Sequence, residues 1–305
     1  MKYIKIANSD LNASQIALGC AGIGHLSNQE ITTLVHASLA EGINFFDHAD
    51  VYGDGQSEAK FAEALDMNPR LRETMILQTK CGIRKGYFDF SKEHILEAVD
   101  GSLKRLRTDF VDVLLLHRPD ALVEPEEVAE AFTILQDSGK VKHFGVSNQN
   151  PRQIELLKKF VKQKLIINQL QMSVAHTGMI DAGFTVNMKM DASVDRDGSI
   201  LDYCRLHDMT IQAWSPFRYG YFDGIFLDNP KFPELNQTIN AIASAKGVTN
   251  TTIVVAWLLR HPARIQPILG TSNPARLKES CKAADITLSR PEWYEIYLAA
   301  GNKLP

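Results

Sequence analysis

Four side chains that together could deliver a proton to an oxygen atom occur within the first 120 residues. Asp47 ends the run NFFD, Tyr52 follows in HADVYG, Lys80 ends ILQTK, and His117 ends LLLH. A tyrosine has an ordinary pKa of about 10, and a neighbouring lysine ammonium lowers it while a carboxylate keeps that lysine charged. A histidine can hydrogen-bond to the reacting oxygen. Such a set suits protonation of an oxygen on which negative charge develops, as in carbonyl reduction.

Short apolar runs are the elements that would position these side chains. The runs cover residues 15–19, 44–47, 75–80, 111–117, 141–146, 165–170, 210–214 and 265–269. The continuous apolar character of VDVLLLH is typical of a strand buried on both faces of a parallel sheet. Between the runs lie helical patterns, with Ser91 as an N-cap, Gly139 as a C-terminal stop and Asn150-Pro151 as a start.

Eight strands that alternate with helices predict an α/β fold, specifically a (β/α)₈ TIM barrel. The active site of such a barrel lies at the C-terminal ends of its strands, so the four side chains should converge there. A doubly wound open sheet is the alternative. No linker divides the chain, which predicts a single domain over residues 1–305. We expect an extra helix at 249–260 and a long loop or hairpin at 181–198 on the active-site side.

Composition excludes several classes of protein. The 305 residues include 33 Lys plus Arg and 36 Asp plus Glu, a formal net charge of −3 that argues against nucleic-acid binding. Neither a secretory signal nor a run of about 18 apolar residues occurs, so we expect no membrane span and a cytoplasmic location. The four cysteines lack metal-ligand spacing, which predicts that no metal is bound.

Several segments resemble those of a known family in both order and spacing. FDHADVYG, QTKCG, LLLHRPD, FGVSN, NQLQMS, AWSPF and ILGTSNPARL resemble the aldo-keto reductases, particularly their bacterial branch, over residues 15–284. The resemblance implies a monomeric barrel that binds NADPH and reduces a small-molecule aldehyde or ketone. It makes Tyr52 the general acid, tuned by Lys80 and Asp47, and has His117 orient the carbonyl group.

The same resemblance assigns the cofactor contacts. Ser147, Asn148 and Gln169 match positions that bind the nicotinamide carboxamide, and Trp214 matches the ring that stacks on the nicotinamide. The implied contacts with the pyrophosphate are Ser215, Phe217 and Arg218, and those with the adenosine part are Gly270, Thr271, Ser272, Arg276 and Glu279. Arg276 lies near a helix start at Asn273-Pro274, where amide dipoles and a guanidinium both favour phosphate.

The sequence departs from the family pattern at three notable positions. His48 stands where threonine is commoner, Gly270 where many relatives place a lysine, and Ser280 where an adenine-contacting asparagine is common. The NADP preference therefore depends on Arg276. The substrate is not readable, because the loops expected to line its pocket, at 181–198 and 219–233, carry no motif.

Two other functions fit the same residues. Lys80 could form a Schiff base in a class I aldolase-type barrel. Alternatively, the barrel could bind NADPH as a cofactor-sensing regulatory subunit with little turnover. The intact set of four side chains favours the reductase.

Overall fold

The computed structural model describes residues 1–221 and 223–305, and eight of the strands in these residues close into a parallel barrel. The strands, in chain order, are β1 Tyr3–Lys5, β2 Asn12–Ser14, β3 Ala17–Gly19, β4 Phe45–Asp47, β5 Ile76–Cys81, β6 Ile83–Arg84, β7 Tyr87–Phe88, β8 Val111–Leu116, β9 Val141–Ser147, β10 Leu165–Gln171, β11 Thr210–Trp214 and β12 Gln266–Leu269. The barrel order is β3-β4-β5-β8-β9-β10-β11-β12, and β12 pairs with β3 to close it. Every apolar run that predicted a strand overlaps one of these eight, and in three cases the strand extends one residue beyond the run, so the predicted TIM barrel is confirmed.

Helices follow the strands around the outside of the barrel. They are α1 Asn28–Ala40, α2 Gln56–Ala64, α3 Pro69–Arg72, α4 Lys92–Leu106, α5 Pro125–Asp137, α6 Pro151–Lys158, α7 Gly178–Phe184, α8 Ile200–Leu206, α9 Pro233–Lys246, α10 Asn250–Leu259, α11 Pro274–Cys281 and α12 Arg290–Ala299. Single turns of 3₁₀-helix occur at Ile23–His25, Asp191–Ser193 and Lys282–Asp285.

The predicted helix boundaries have the capping chemistry expected of them. The Ser91 side chain accepts from the backbone N–H of His94 at the start of α4. Asn150 and Gln153 form a reciprocal capping box at the start of α6. Gly139, just beyond α5, has φ +72°, a left-handed conformation that glycine adopts without steric strain. The extra helix expected at 249–260 is α10, capped by Thr249.

Alternation along each strand separates two apolar clusters. Phe46 on β4 belongs to the large cluster between the barrel and its helices, whereas Phe45 points into the barrel. The inner cluster also contains Ile6, Leu11 and Ala13 from the hairpin formed by β1 and β2. This hairpin therefore closes the end of the barrel opposite the active site.

The prediction of a loop or hairpin at 181–198 is wrong for its first residues, because α7 extends through Phe184. Ile180 and Phe184 form an apolar pair at helical spacing, but the polar residues around them in the sequence made this helical pattern hard to recognise. The Phe184 ring packs 5.3 Å from that of Tyr297 on α12, and the Tyr297 hydroxyl donates to Asp181 at 2.8 Å. The remainder is an exposed irregular segment, with Val186 71% exposed.

The other loop, at 219–233, packs against itself, with the Tyr219 and Phe232 rings 5.0 Å apart. Its residue Phe222 lies outside the described residues. No single helix in the described ranges is long and apolar enough to cross a bilayer; α9 and α10 reach that length only together, and they meet at 93°.

Candidate active site

Lys80 forms the centre of a compact group at the C-terminal mouth of the barrel. Its Nζ lies 2.9 Å from both carboxylate oxygens of Asp47, 2.8 Å from the backbone carbonyl of His48 and 2.9 Å from the Tyr52 hydroxyl oxygen. The ammonium is fully buried. Since an ammonium has three hydrogens, these partners use all of its donors.

Parallel strands bring these residues together. Asp47 ends β4, Lys80 lies one residue before the end of β5, and His117 directly follows β8. Tyr52 lies in the turn before α2, whose backbone is tightened by a bond from Ser57 N–H to the Tyr52 carbonyl. The rings of Tyr52 and His117 meet edge to face with centroids 5.8 Å apart. The structure thus places all four predicted catalytic residues at one mouth.

Burial determines the protonation states of this group. Burial raises the pKa of Tyr52 above its usual value, although Lys80 acts in the opposite direction. Lys80 acts in the predicted direction on the pKa of Tyr52, but burial, which the sequence did not show, outweighs it. Burial opposes the charge of Lys80, but Asp47 and Tyr52 outweigh it, so the pKa of Lys80 is raised.

His117 is neutral for the same reason. Burial, assisted by Lys80 and Arg118, holds the pKa of His117 well below its usual value. Its Nδ1 is buried and has no hydrogen-bond partner among the described residues. The imidazole is therefore available as a neutral hydrogen-bonding group.

The residues predicted to bind the nicotinamide, which we call the nicotinamide end, are already joined to one another. The Asn148 amide nitrogen donates to Ser147 Oγ at 2.7 Å, and the Asn148 oxygen accepts from the Trp214 indole at 3.0 Å. Ser147 Oγ in turn donates to the backbone carbonyl of Gln169 at 3.0 Å. Asn148 has φ +57°, a left-handed conformation that asparagine tolerates better than most residues. Trp214 is half-buried, which leaves part of its ring accessible.

The predicted pyrophosphate segment follows directly after β11. Ser215 has φ +54°, and its carbonyl accepts from the backbone of Arg218 at 3.0 Å, so the chain turns back over the mouth. Phe217 is half-buried and Arg218 is exposed. The Arg218 guanidinium donates to the Asp223 carbonyl at 2.9 Å.

The residues predicted to meet the adenosine part, Gly270 to Glu279, form what we call the adenosine end. Arg276 is exposed and forms no ion pair with any described residue. A Cβ built on Gly270 meets no described atom within 4 Å. Thr271 and Ser272 are at least partly exposed, whereas the Glu279 carboxylate is occupied by Lys282 at 2.7 Å. Ser280 is buried and donates to the carbonyl of Arg276, so its hydroxyl is turned away from solvent.

Sequence reasoning did not identify several polar residues that line the site. Gln78, Gln212 and Gln266 lie inside the barrel below Asp47, and Arg118 lies 5.4 Å from the Trp214 ring and 5.5 Å from the Tyr221 ring. The alternation of side chains along a strand could have identified two of them. Gln78 lies two residues before Lys80 on β5, and Gln212 lies two residues before Trp214 on β11, so each pair faces the same way.

A cleft of about 830 Å³ lies between the Tyr52 turn and α4, beside this group. Its described lining includes Asp50, Arg84, His94 and Arg105 but none of the four central residues. Within the described ranges, no group of three or more His, Cys, Asp or Glu side chains is arranged to hold a metal ion.

Known proteins resemble this chain over nearly its whole length. Residues 15–298 match the model of the Aldo/keto reductase family. The chain is 34% identical to the uncharacterized oxidoreductase YcsN of Bacillus subtilis over the full length of both proteins. It is 35% identical to a 6-dehydroglucose reductase of Agrobacterium fabrum, covering 98% of each.

A solved structure with the same fold is an aldo-keto reductase from Klebsiella pneumoniae in complex with NADPH. The TM-score is 0.79 at 23% identity, covering 99% of this chain and 96% of that one. Because the family match extends over nearly the whole barrel and the relatives are similar from end to end, the chain belongs to the aldo/keto reductase family of oxidoreductases.

Proposed function

We propose that this oxidoreductase reduces an aldehyde or ketone to an alcohol, with NADPH as the hydride source and Tyr52 as the proton donor. The observation that carries the proposal is the bond from Lys80 Nζ to the Tyr52 oxygen at 2.9 Å. Because the ammonium can only donate, the tyrosine oxygen accepts, and its own hydrogen remains free to be given to a substrate oxygen.

Tyr52 is suited to hold this proton until it is needed. Its raised pKa keeps the hydroxyl protonated at neutral pH. After proton transfer, the phenolate that remains is stabilised by Lys80, which Asp47 holds in place. His117, being neutral, can donate a hydrogen bond from one ring nitrogen to the carbonyl oxygen and so orient it.

The residues at the mouth fit NADPH. When bound, the cofactor supplies the hydride that reduces the carbonyl carbon. Ser147, Asn148 and Gln169 would hold the carboxamide, and the accessible Trp214 ring would pack against the nicotinamide. Ser215, Phe217 and Arg218 would face the pyrophosphate. At the adenosine end the exposed guanidinium of Arg276, which no described carboxylate neutralises, suits the 2′-phosphate.

The aldolase-type alternative fits less well. A Schiff base needs a neutral amine, but all three hydrogens of Lys80 are bonded and the pKa of Lys80 is raised. A cofactor-sensing subunit would have no use for the bond that prepares Tyr52 as an acid. The fully bonded ammonium of Lys80 and its bond to Tyr52 therefore both favour the reductase.

For the substrate we propose a small carbonyl compound that carries hydroxyl groups. The support is the name of the relative from Agrobacterium fabrum and that of a second 6-dehydroglucose reductase, 34% identical, from Novosphingobium aromaticivorans. We also propose that the whole chain, residues 1–305, acts as one domain and as a monomer, since one chain supplies all four central residues. The cytoplasmic location stays a prediction; the four cysteines are free and buried.

The test is oxidation of NADPH, followed by its absorbance, with a panel of aldehydes, ketones and oxidised sugars. Tyr52→Phe should lower kcat by about 10²–10⁴-fold, the usual contribution of general acid catalysis, while NADPH still binds. Tyr3→Phe is the matched control. The Tyr3 hydroxyl donates to the backbone carbonyl of Gly42 at the end of the barrel opposite the mouth. Retention of more than about a tenth of the wild-type kcat would exclude Tyr52 as the acid. Covalent trapping of a carbonyl on Lys80 by borohydride would instead support the aldolase.

A further inference from the structure

Four glutamine side chains form a continuous chain of hydrogen bonds through the barrel interior. Gln78 on β5, Gln169 on β10, Gln212 on β11 and Gln266 on β12 are each at most 3% exposed. They lie between the catalytic group at the mouth and the hairpin that closes the opposite end. A barrel interior is normally filled by branched apolar side chains, so a polar layer here needs a reason.

The bonds connect Asp47 to the N-terminal hairpin. The amide nitrogens of Gln78 and Gln169 both donate to Asp47 Oδ1, the latter at 3.0 Å. The same two nitrogens donate to the Gln212 oxygen, at 2.8 and 3.0 Å. The Gln212 nitrogen donates to the Gln266 oxygen at 2.8 Å, and the Gln266 nitrogen donates to the Ser14 carbonyl at 2.7 Å.

Groups that can only accept stand at both ends of this chain and set the direction of its amides. The Ser14 carbonyl can only accept, so the Gln266 nitrogen must face it and the Gln266 oxygen must face Gln212. Gln212 then directs its nitrogen toward Gln266 and its oxygen toward Gln78 and Gln169. The Asp47 carboxylate also can only accept, so Gln78 and Gln169 present nitrogens both to Asp47 and to the Gln212 oxygen.

This direction has two consequences at the mouth. Asp47 receives two N–H donors on the carboxylate that holds Lys80, so that carboxylate is held in place from the barrel interior. Gln169 has committed both amide hydrogens, so it has only its oxygen to offer to a cofactor amide. Gln78 keeps this orientation although its oxygen is buried and has no partner among the described residues. An arrangement selected for stability alone would avoid that unpaired oxygen.

We propose that Gln212 and Gln266 are positioning residues, which hold Gln78 and Gln169 in place and through them fix the placement of Asp47. The inference rests on the proposed reductase function. It predicts that Gln266 affects the reaction rate, although Gln266 contacts none of the four central residues and, in the proposed arrangement, does not contact the substrate.

The test compares two substitutions that each remove one inward hydrogen bond to the N-terminal hairpin. Gln266→Met breaks the amide chain at its origin. Thr210→Val, the control, removes the bond from Ala7 N–H to Thr210 Oγ1 at 3.0 Å. Thr210 lies two residues before Gln212 on β11 and faces the same way, but it is outside the amide chain. Gln212→Met provides a second break if Gln266→Met does not fold.

We expect Gln266→Met and Gln212→Met to lower kcat by about tenfold or more, with a substrate KM within about twofold of wild type. Gln212 directly contacts Gln169, so Gln212→Met should also weaken NADPH binding measured by fluorescence. Thr210→Val should lower the melting temperature and leave kcat unchanged.

Two results would overturn the proposal: an unchanged kcat in both methionine variants, or an equal loss of kcat in Thr210→Val. Either result, obtained beside an active wild type that Tyr52→Phe inactivates, rejects the amide chain alone. A wild-type protein that binds NADPH but turns over no carbonyl compound rejects the reductase and this inference together.

Discussion

The nicotinamide end and the adenosine end differ in how much of their hydrogen bonding is already complete. At the nicotinamide end, Ser147, Asn148 and Trp214 bond to one another, and Gln169 bonds to Asp47 beneath them. At the adenosine end, Arg276 is exposed and Gly270 borders open space. Chemistry requires placement of a ring within a fraction of an ångström, whereas a phosphate is held well by any accessible cation. The protein is therefore pre-organised only where the reaction needs it.

Pre-organisation has a stability cost that can be measured through pH. His48 follows Asp47 in the chain and is fully buried. Neither of its ring nitrogens is hydrogen-bonded to a described residue, and its ring lies 4.6 Å from that of Phe61. Burial and Lys80 lower the pKa of His48 to about 3. The unfolded chain, with a histidine pKa of about 6.5, binds more protons below that pH, so the folded state loses stability as pH falls from about 6.5 toward 3.

The free energy of unfolding should drop by about 1.6 kcal/mol from this group alone between pH 6.5 and pH 5. Urea denaturation of wild type and His48→Leu across this range measures the difference, and the variant should show a shallower dependence. Replacement of the exposed His25 by leucine is the control. Parallel pH curves for wild type and His48→Leu would mean that His48 does not carry this cost.

A medium effect is expected where the nicotinamide end is opened without changing the side chain of any of the four central residues. Asn148→Ala removes the bonds to Ser147 and Trp214 and a long bond, of 3.5 Å, to the His117 carbonyl. The dissociation constant of NADPH should therefore rise about tenfold, equivalent to about 1.4 kcal/mol. Asn187→Ala is a matched control, since Asn187 also has a positive φ, of 62°, and is exposed. Equal NADPH affinities in the two variants, measured by fluorescence titration, would contradict a pre-organised nicotinamide end.

The smallest effect is expected at the adenosine end. Arg276→Ala should raise the KM for NADPH roughly fivefold, about 1 kcal/mol for an exposed charged contact, with kcat and the KM for NADH unchanged. Lys278→Ala, which removes another exposed cation of α11, should leave both values unaltered. A preference for NADH in the wild type would remove the role given to Arg276.

Much of the architecture was predictable because its signals are local. Each barrel strand is a short apolar run, and the caps at Ser91 and Asn150 depend on neighbours within three residues. The convergence of Asp47, Lys80 and His117 follows from one rule, that the carboxyl ends of parallel strands meet at one face. The helix α7 was missed because its apolar pair is stabilised by α12, more than 100 residues away in the chain.

The sequence by itself determined the fold class, the positions of Asp47, Lys80 and His117 at strand ends with Tyr52 in the turn that follows β4, and the order of the predicted cofactor segments. Only the tertiary structure decided what those residues experience. Burial raises the pKa of Tyr52 where proximity to Lys80 alone would lower it. The amide chain from Ser14 to Asp47 joins residues up to 252 positions apart. Its direction depends on which side chains meet at one level inside a closed barrel, and that level is set by strand register and tilt rather than by neighbours in the chain.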